Sequence, residues 1–466
     1  MDAVVVGAGP TGLVAAVGLA RRGHRVRLVD DDPGPVGDEQ WARRGVMQFH
    51  HPHAFRPQAL DVVRAEVPEV IDALLARGAE PMTMDPEAPA PVDGELPPGT
   101  GLRCRRMVVE RELRRVAHRE PGVTRVPARA RGLVAERGRT TGVQVGDARH
   151  DADLVLVAAG RSGRVGEGLR APEESSGCAS AYVSRQYRLR PGAEPGPVTS
   201  VLGAVAMHEG YTVVVFRHDA GVFSTLIARP TSDRRLVGLR HEAAFDAAAR
   251  AIPVLASWTD PARSRPITPV LPGGRLRNTY RGQLDAAGRV PLPGTVFLGD
   301  AVCTTNPIAG RGVATSLMQV ERFLALLGEH GADHVATAHA LDAWCDEHLR
   351  PWFLDHVATD ASQAAQWAGE DVDPTRPPTS DLVVSATAAD PSLMRVVGPY
   401  LGMTAPPASL VAVHPRVREI YASGWRPPVA DGPTVDELAA LVAGASPEPS
   451  PEPVPEPVPE PATTRA

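Results

Sequence analysis

The 466 residues, 43% of them apolar, are enough to bury one large core or two ordinary ones. The net charge of −6, to which four glutamates beyond position 446 contribute, offers no basic surface for nucleic acid or an anionic membrane. No run reaches the roughly 18 apolar residues of a membrane span, and the chain opens in an apolar strand rather than a signal peptide, so a soluble, cytoplasmic protein is expected. Lysine is absent and all 49 basic residues are arginine, which excludes Schiff-base chemistry by a lysine; only Asn278 and Asn306 represent asparagine. Cys104, Cys178, Cys303 and Cys345 form no C-x-x-C pair, which suits a reducing compartment and gives no metal framework; Cys303 reads as a small buried filler.

In chain order, Ala3 to Val6 is a short buried strand. Gly7, Gly9 and Gly12 then form a G-x-G-x-x-G turn that opens a helix from Leu13 to Arg22. The spacing provides a tight turn, close approach of a pyrophosphate to the backbone and close helix–strand packing, with free amides at the helix start facing the phosphates. Arg25 to Val29 is the second strand, and Asp30 at its end is placed to accept a hydrogen bond from a ribose hydroxyl. This arrangement predicts a dinucleotide site, for NAD or FAD.

An Arg- and His-rich loop over 41–58 precedes a helix near 59–77 that stops at Gly78, and a Pro-rich connection leads to CRRMVVERELRRVA at 104–117. Short strands at 130–136 and 141–145 precede a buried strand, Leu154 to Val157, that turns at Gly160. From about 178 to 280 the segments YVSRQYRL, YTVVVF and FSTLIA alternate as an antiparallel sheet does. A second apolar strand then ends in VFLGDAVCTTNPIAGRG at 296–312, and helical patterns run to about 365 and on to about 443. From Ser446 the SPEPSPEPVPEPVPEP repeat has too little apolar surface to fold and is expected to be disordered.

The 294–319 segment resembles the second FAD fingerprint of the para-hydroxybenzoate-hydroxylase-like flavoproteins, a superfamily that also holds aromatic hydroxylases and squalene-type epoxidases. With the N-terminal glycines it makes FAD the expected cofactor. The resemblance implies that Gly299 and Asp300 lie on the flavin, Asp300 on the ribityl chain, and that Pro307 and the Gly310 to Gly312 turn lie beside the isoalloxazine ring. The 104–117 segment is similar to the family's Arg-x-x-x-Glu-x-x-Leu-Arg helix, in which Arg106 reaches the flavin; a solvated amphipathic helix is the other reading. Gly160 belongs to the family's third nucleotide-binding element, but Val157 stands where relatives often carry an aspartate.

The implied architecture is α/β: a Rossmann-like FAD-binding domain of the glutathione-reductase type (1–177 and 286–330), an inserted antiparallel-sheet substrate domain (178–285), a helical C-terminal region (331–445) and the tail (446–466). No second strand-borne G-x-G-x-x-G appears, so NAD(P)H is expected as a transient reductant. The expected reaction is hydroxylation or epoxidation of a small organic substrate by O2. Arg44 is assigned to the cofactor, and Gln48, His51 and His53 to catalysis, with a histidine as proton donor or substrate anchor; the alternatives are a solvated loop or adventitious metal at HHPH. Flavin-dependent halogenases rely on a lysine and a Trp-x-Trp motif, and the chain has neither. Two other functions stay open: a flavin-dependent reductase of unsaturated lipids similar to geranylgeranyl reductases, and a flavin-binding electron-transfer protein. Oligomeric state is not legible.

Overall fold

A computed structural model describes residues 1–37, 41–83 and 96–445. The tail lies outside the described residues. A five-stranded parallel sheet is ordered Thr295–Phe297, Leu154–Val157, Asp2–Val6, Arg25–Val29 and Val123–Val126. The central strands Asp2–Val6 and Leu154–Val157 are near-continuous aliphatic runs because both their faces are covered, while Arg25–Val29 and Val123–Val126 toward the edge carry arginines. The helix Pro10–Arg21 lies on it, starting earlier than the expected Leu13 because Pro10, with no N–H to lose, takes the first helical position.

The expected single helix at 59–77 is two, Pro57–Glu66 and Glu69–Ala76. Pro68 at the break disfavours helical backbone at Val67, which has φ −146°. Side strands Ala130–Glu136, Arg139–Val145 and Ala148–Asp151 form an antiparallel meander.

The alternating segments form a six-stranded antiparallel sheet around Ser180–Leu189, Gly203–His208, Tyr211–Arg217 and Val222–Pro230, completed by Ser264–Pro266 and Leu271–Gly273. It has its own core, in which Val183, Tyr187, Phe223 and Ile227 meet Phe245, Leu255 and Trp258 of the helices behind it. Leu438 and Val442 of the last helix, Val435–Ala445, belong to this core although the chain reaches them last.

Helices Gly312–His330, His334–His348 and Arg350–Trp367 follow in series and join the core of the parallel sheet. No helix among the described residues is long and apolar enough to cross a membrane.

Candidate functional site

A cavity of about 440 Å³ runs from the C-terminal edge of the parallel sheet to the loop at 45–54. It begins at the glycine turn. A Cβ at Gly7, whose φ is +105°, would lie 2.3 Å from the Ala158 carbonyl oxygen, and one at Gly12 would lie 1.8 Å from the Gly7 oxygen. Only glycine allows the turn to close on both the neighbouring strand and the helix. Gly9 faces open space, with the Arg43 guanidinium 3.7 Å from where its Cβ would stand. The bare backbone and helix start here suit a pyrophosphate.

Of the residues expected at the cofactor, Gly7, Gly9, Asp30, Arg106, Gly160, Asp300, Pro307, Gly310 and Gly312 line this one cavity, together with Gln48 and His53. Gly12, Gly299, Arg44 and His51 do not. Gly12 and Gly299 act from behind the wall: Gly299 has φ +72°, its amide donates to Gln319 Oε1 at 2.8 Å, and a Cβ there would meet the Thr11 hydroxyl at 2.9 Å. Arg44 points to solvent, and its neighbour Arg43 enters the cavity instead. Arg43 donates to the Ala8 carbonyl at 3.0 Å, to Asp30 Oδ2 at 2.9 Å and to Glu110 Oε2 at 2.7 Å.

Arg106 lines the cavity as the family resemblance implies, and its Nε donates to the other oxygen of Glu110 at 2.5 Å. Glu110 is fully buried, so the acid of the Arg-x-x-x-Glu helix is the brace between the two arginines. Asp30 Oδ2, which takes Arg43, also accepts from the Ala8 amide at 2.5 Å, and its Oδ1 accepts from the Asp32 amide at 2.9 Å.

Asp300 lines the cavity, enclosed by the surrounding protein but open to the cavity itself. Burial raises its pKa, opposed by the positive charges of Arg106 and Arg161. Among the described residues its carboxylate accepts no hydrogen bond, while its backbone carbonyl takes the Thr304 hydroxyl at 3.0 Å. An acceptor so placed suits a ligand hydroxyl.

The loop after Asp300 is held from three sides. Asn306 Nδ2 donates to Asp360 Oδ1 at 2.6 Å, and Asn278 Nδ2 to Asp360 Oδ2 at 2.7 Å, so both asparagines of the chain meet one buried aspartate. Arg56 donates to the Ala309 carbonyl at 2.6 Å, and Arg311 pairs with Asp355 at 2.8 Å. Gly310 takes a left-handed turn, φ +64°, and the helix starting at Gly312 has no side-chain cap, so its first amides remain free beside the cavity. Such amides favour negative charge near them.

The loop at 47–53 docks on the inserted sheet through alternate residues of one strand. Gln48 Nε2 donates to the Tyr182 hydroxyl, His51 Nδ1 lies 2.7 Å from Ser184 Oγ, and Gln186 Nε2 donates to the His50 carbonyl at 2.6 Å. The intervening Val183 and Tyr187 face the other core, and Arg185 pairs there with Glu242 and Asp246.

His51 is thus a buried strut against the sheet, not a cavity residue, and burial pushes its pKa down to about 4. His53 faces the cavity, its Nδ1 2.9 Å from the His51 carbonyl, with its pKa pushed down to about 3 by burial and by Arg106. These shifts favour neutral imidazoles near pH 7, each of which offers one N–H and one lone pair. Among the described residues no three His, Cys, Asp or Glu side chains converge as metal ligands. Cys303 is fully buried, with its thiol pKa pushed up to about 12 by burial and Asp300.

Val157 is 2% exposed inside the sheet, paired with Val6 and Phe297, so an acid there would be stranded in apolar surroundings. The residue abutting Gly160 on the cavity is Ala159, and it too brings no carboxylate.

The NAD(P)-binding Rossmann-like domain family matches residues 5–64. Comparison with curated proteins gives no match. Among solved structures the chain is similar to PqsL, a probable FAD-dependent monooxygenase from Pseudomonas aeruginosa, at 18% identity and TM-score 0.55, over 79% of this chain and 96% of that one. It is also similar to the flavin-dependent brominase Bmp2, at 13% identity and TM-score 0.62, over 91% of this chain and 100% of that one. The tetrameric form of 2-methyl-3-hydroxypyridine-5-carboxylic acid oxygenase matches at 15% identity and TM-score 0.52, over 85% and 96%. The chain therefore has an α/β fold with a Rossmann-like core, shared with flavin-dependent oxygenases.

Proposed function

We propose that the protein is an FAD-dependent monooxygenase that takes electrons from NAD(P)H and adds one oxygen atom of O2 to a small organic substrate. The observation that carries this reading is a single cavity running from the glycine cradle past the unpartnered Asp300 carboxylate to the Pro307–Gly312 loop and the 47–53 loop. FAD fits these residues: Gly7 and Gly9 leave room for its pyrophosphate, Asp30 and Arg43 flank its adenosine side, and Asp300 accepts from its ribityl chain. When bound, the flavin supplies the two-electron reduction and the activation of oxygen.

The chain's own residues position and shield. The free amides from Gly312 onward stabilise negative charge at the ring end, the better for being held in place by Asp355 and Asp360. Gln48, held by Tyr182, and the neutral His53 supply hydrogen bonds that orient a substrate under the inserted sheet. Docking of the 47–53 loop on that sheet keeps bulk water from the ring.

The fold likeness to a brominase does not extend halogenation to this chain, which has no lysine to handle hypohalous acid. The test is to screen the FAD-loaded protein for NAD(P)H oxidation and oxygen uptake against small phenols and alkenes under 18O2. A product heavier by one 18O atom supports the proposal; reduced product without oxygen uptake, in the same panel, points to a reductase.

A further inference from the structure

On the far side of the Gly160–Arg161 turn lies a second cavity, of about 320 Å³. It shares Ala159, Gly160, Arg161, Arg277 and Asp300 with the first. Five arginines line it, Arg161, Arg170, Arg275, Arg277 and Arg281, and against them stand Asp300 in the shared wall and the exposed Glu173. Among the described residues none of the five has a carboxylate within ion-pair distance. Elsewhere around the site Arg43 and Arg106 are matched by Glu110, Arg105 by Asp219 and Arg311 by Asp355, while Arg56 alone among these meets carbonyls only.

Two of the five are held in place, and Arg161, Arg275 and Arg277 are exposed. Arg170 donates to the carbonyls of Arg281 at 3.1 Å, Gly282 at 3.0 Å and Ala301 at 2.8 Å, and its guanidinium stacks on Phe297 at 3.7 Å. Burial and the charge of Arg281 push its pKa down to about 9, outweighing the more distant carboxylates of Asp342 and Glu173. The Nε atoms of Arg170 and Arg281 are buried without a hydrogen-bond partner. Among the described residues the Arg277 guanidinium is held by the Ser175 hydroxyl, at 2.6 Å and 3.1 Å. Guanidinium forks held this way match the geometry of phosphate oxygens and gain most when the anion brings more than one negative charge.

We propose that this cavity is an anion site that holds the phosphate groups of the nicotinamide dinucleotide reductant, which it brings against the wall of the flavin cavity. The assignment of its occupant rests on the NAD(P)H-dependent reading above; the phosphate chemistry does not. A third phosphate adds charge for the same arginines, so NADPH is favoured over NADH.

The experiment uses the full-length FAD-loaded protein and the double variant Arg275→Gln, Arg281→Gln, two residues that line the second cavity and not the first. A charge-retaining Arg275→Lys, Arg281→Lys pair is the control, and an unchanged flavin spectrum checks folding. Titration with inorganic pyrophosphate is expected to show binding that weakens with added salt and drops at least about tenfold in the glutamine pair, with partial rescue by lysine. Stopped-flow reduction is expected to need correspondingly more NADPH at the same limiting rate, with pyrophosphate competing against NADPH.

No pyrophosphate binding, or equal binding by both variants and wild type, overturns the anion site. Pyrophosphate binding that is lost in the glutamine pair without competition against NADPH overturns the reductant as occupant and assigns the site to a phosphorylated substrate. Failure of both nicotinamides to reduce the flavin refutes the underlying reading, while the pyrophosphate titration still decides the anion site.

Discussion

Replacing Asp300 with alanine is expected to weaken FAD binding while leaving the stability of the FAD-free protein nearly unchanged. The carboxylate is open to the cavity, accepts no hydrogen bond from the described residues, and has its pKa raised by partial desolvation against the charges of Arg106 and Arg161. In the FAD-free protein it packs against nothing that its removal would expose, so the melting temperature should barely move. In the holoenzyme it accepts from a flavin hydroxyl, and a hydrogen bond to a charged group contributes about 1.5–3 kcal/mol. Its loss should therefore weaken FAD binding by roughly 10- to 150-fold. Fluorescence titration of the FAD-free protein with FAD, paired with thermal melts of FAD-free wild type and variant, measures both. A variant that melts several degrees lower without FAD, or that binds FAD as tightly as wild type, would refute the reasoning.

His53→Ala and Gln48→Ala should keep FAD bound yet divert NAD(P)H oxidation to hydrogen peroxide, since even small displacements of a substrate cost about a hundredfold in rate; unchanged coupling in both returns the loop to a structural role. His51 and His218 both have pKa values pushed down to about 4 by burial. The unfolded chain, with histidine near 6.5, binds more protons below that pH, so stability is complete above about 6.5 and falls as the pH drops toward 4, by about 2 kcal/mol per histidine at pH 5. Denaturant melts at pH 7 and pH 5 check this, and a flat profile contradicts it. Leu438 is fully buried in the core of the inserted sheet, so Leu438→Ala should cost about 2–5 kcal/mol, whereas deleting 446–466 should leave the melting temperature nearly unchanged; the same thermal scan reads both.

The elements that a local pattern determines were legible in the sequence. The first strand, the glycine turn and the Asp30 terminus follow from residue spacing, and the strand Leu154–Val157 from an aliphatic run bounded by a turn. The break at Pro68 was legible too, had the residue before proline been weighed against the helical period. Arg43 and Arg44 could not be told apart, because the loop between them and the second strand has no period and a one-residue shift turns one arginine inward and the next out. Depth was equally invisible: HHPH reads as polar, yet a strand distant in sequence buries His51 and neutralises it. Glu110, Asp360 and the approach to the last helix take their roles from partners 54 to 222 residues away, and no window of local sequence contains those pairs.

The central claim is that the cavity reaching from the glycine turn to the Pro307–Gly312 loop holds FAD. Purified protein should be yellow with one flavin per chain, or become so on incubation with FAD, and the released cofactor should be FAD by mass. A colourless protein that FAD cannot reconstitute would contradict the account.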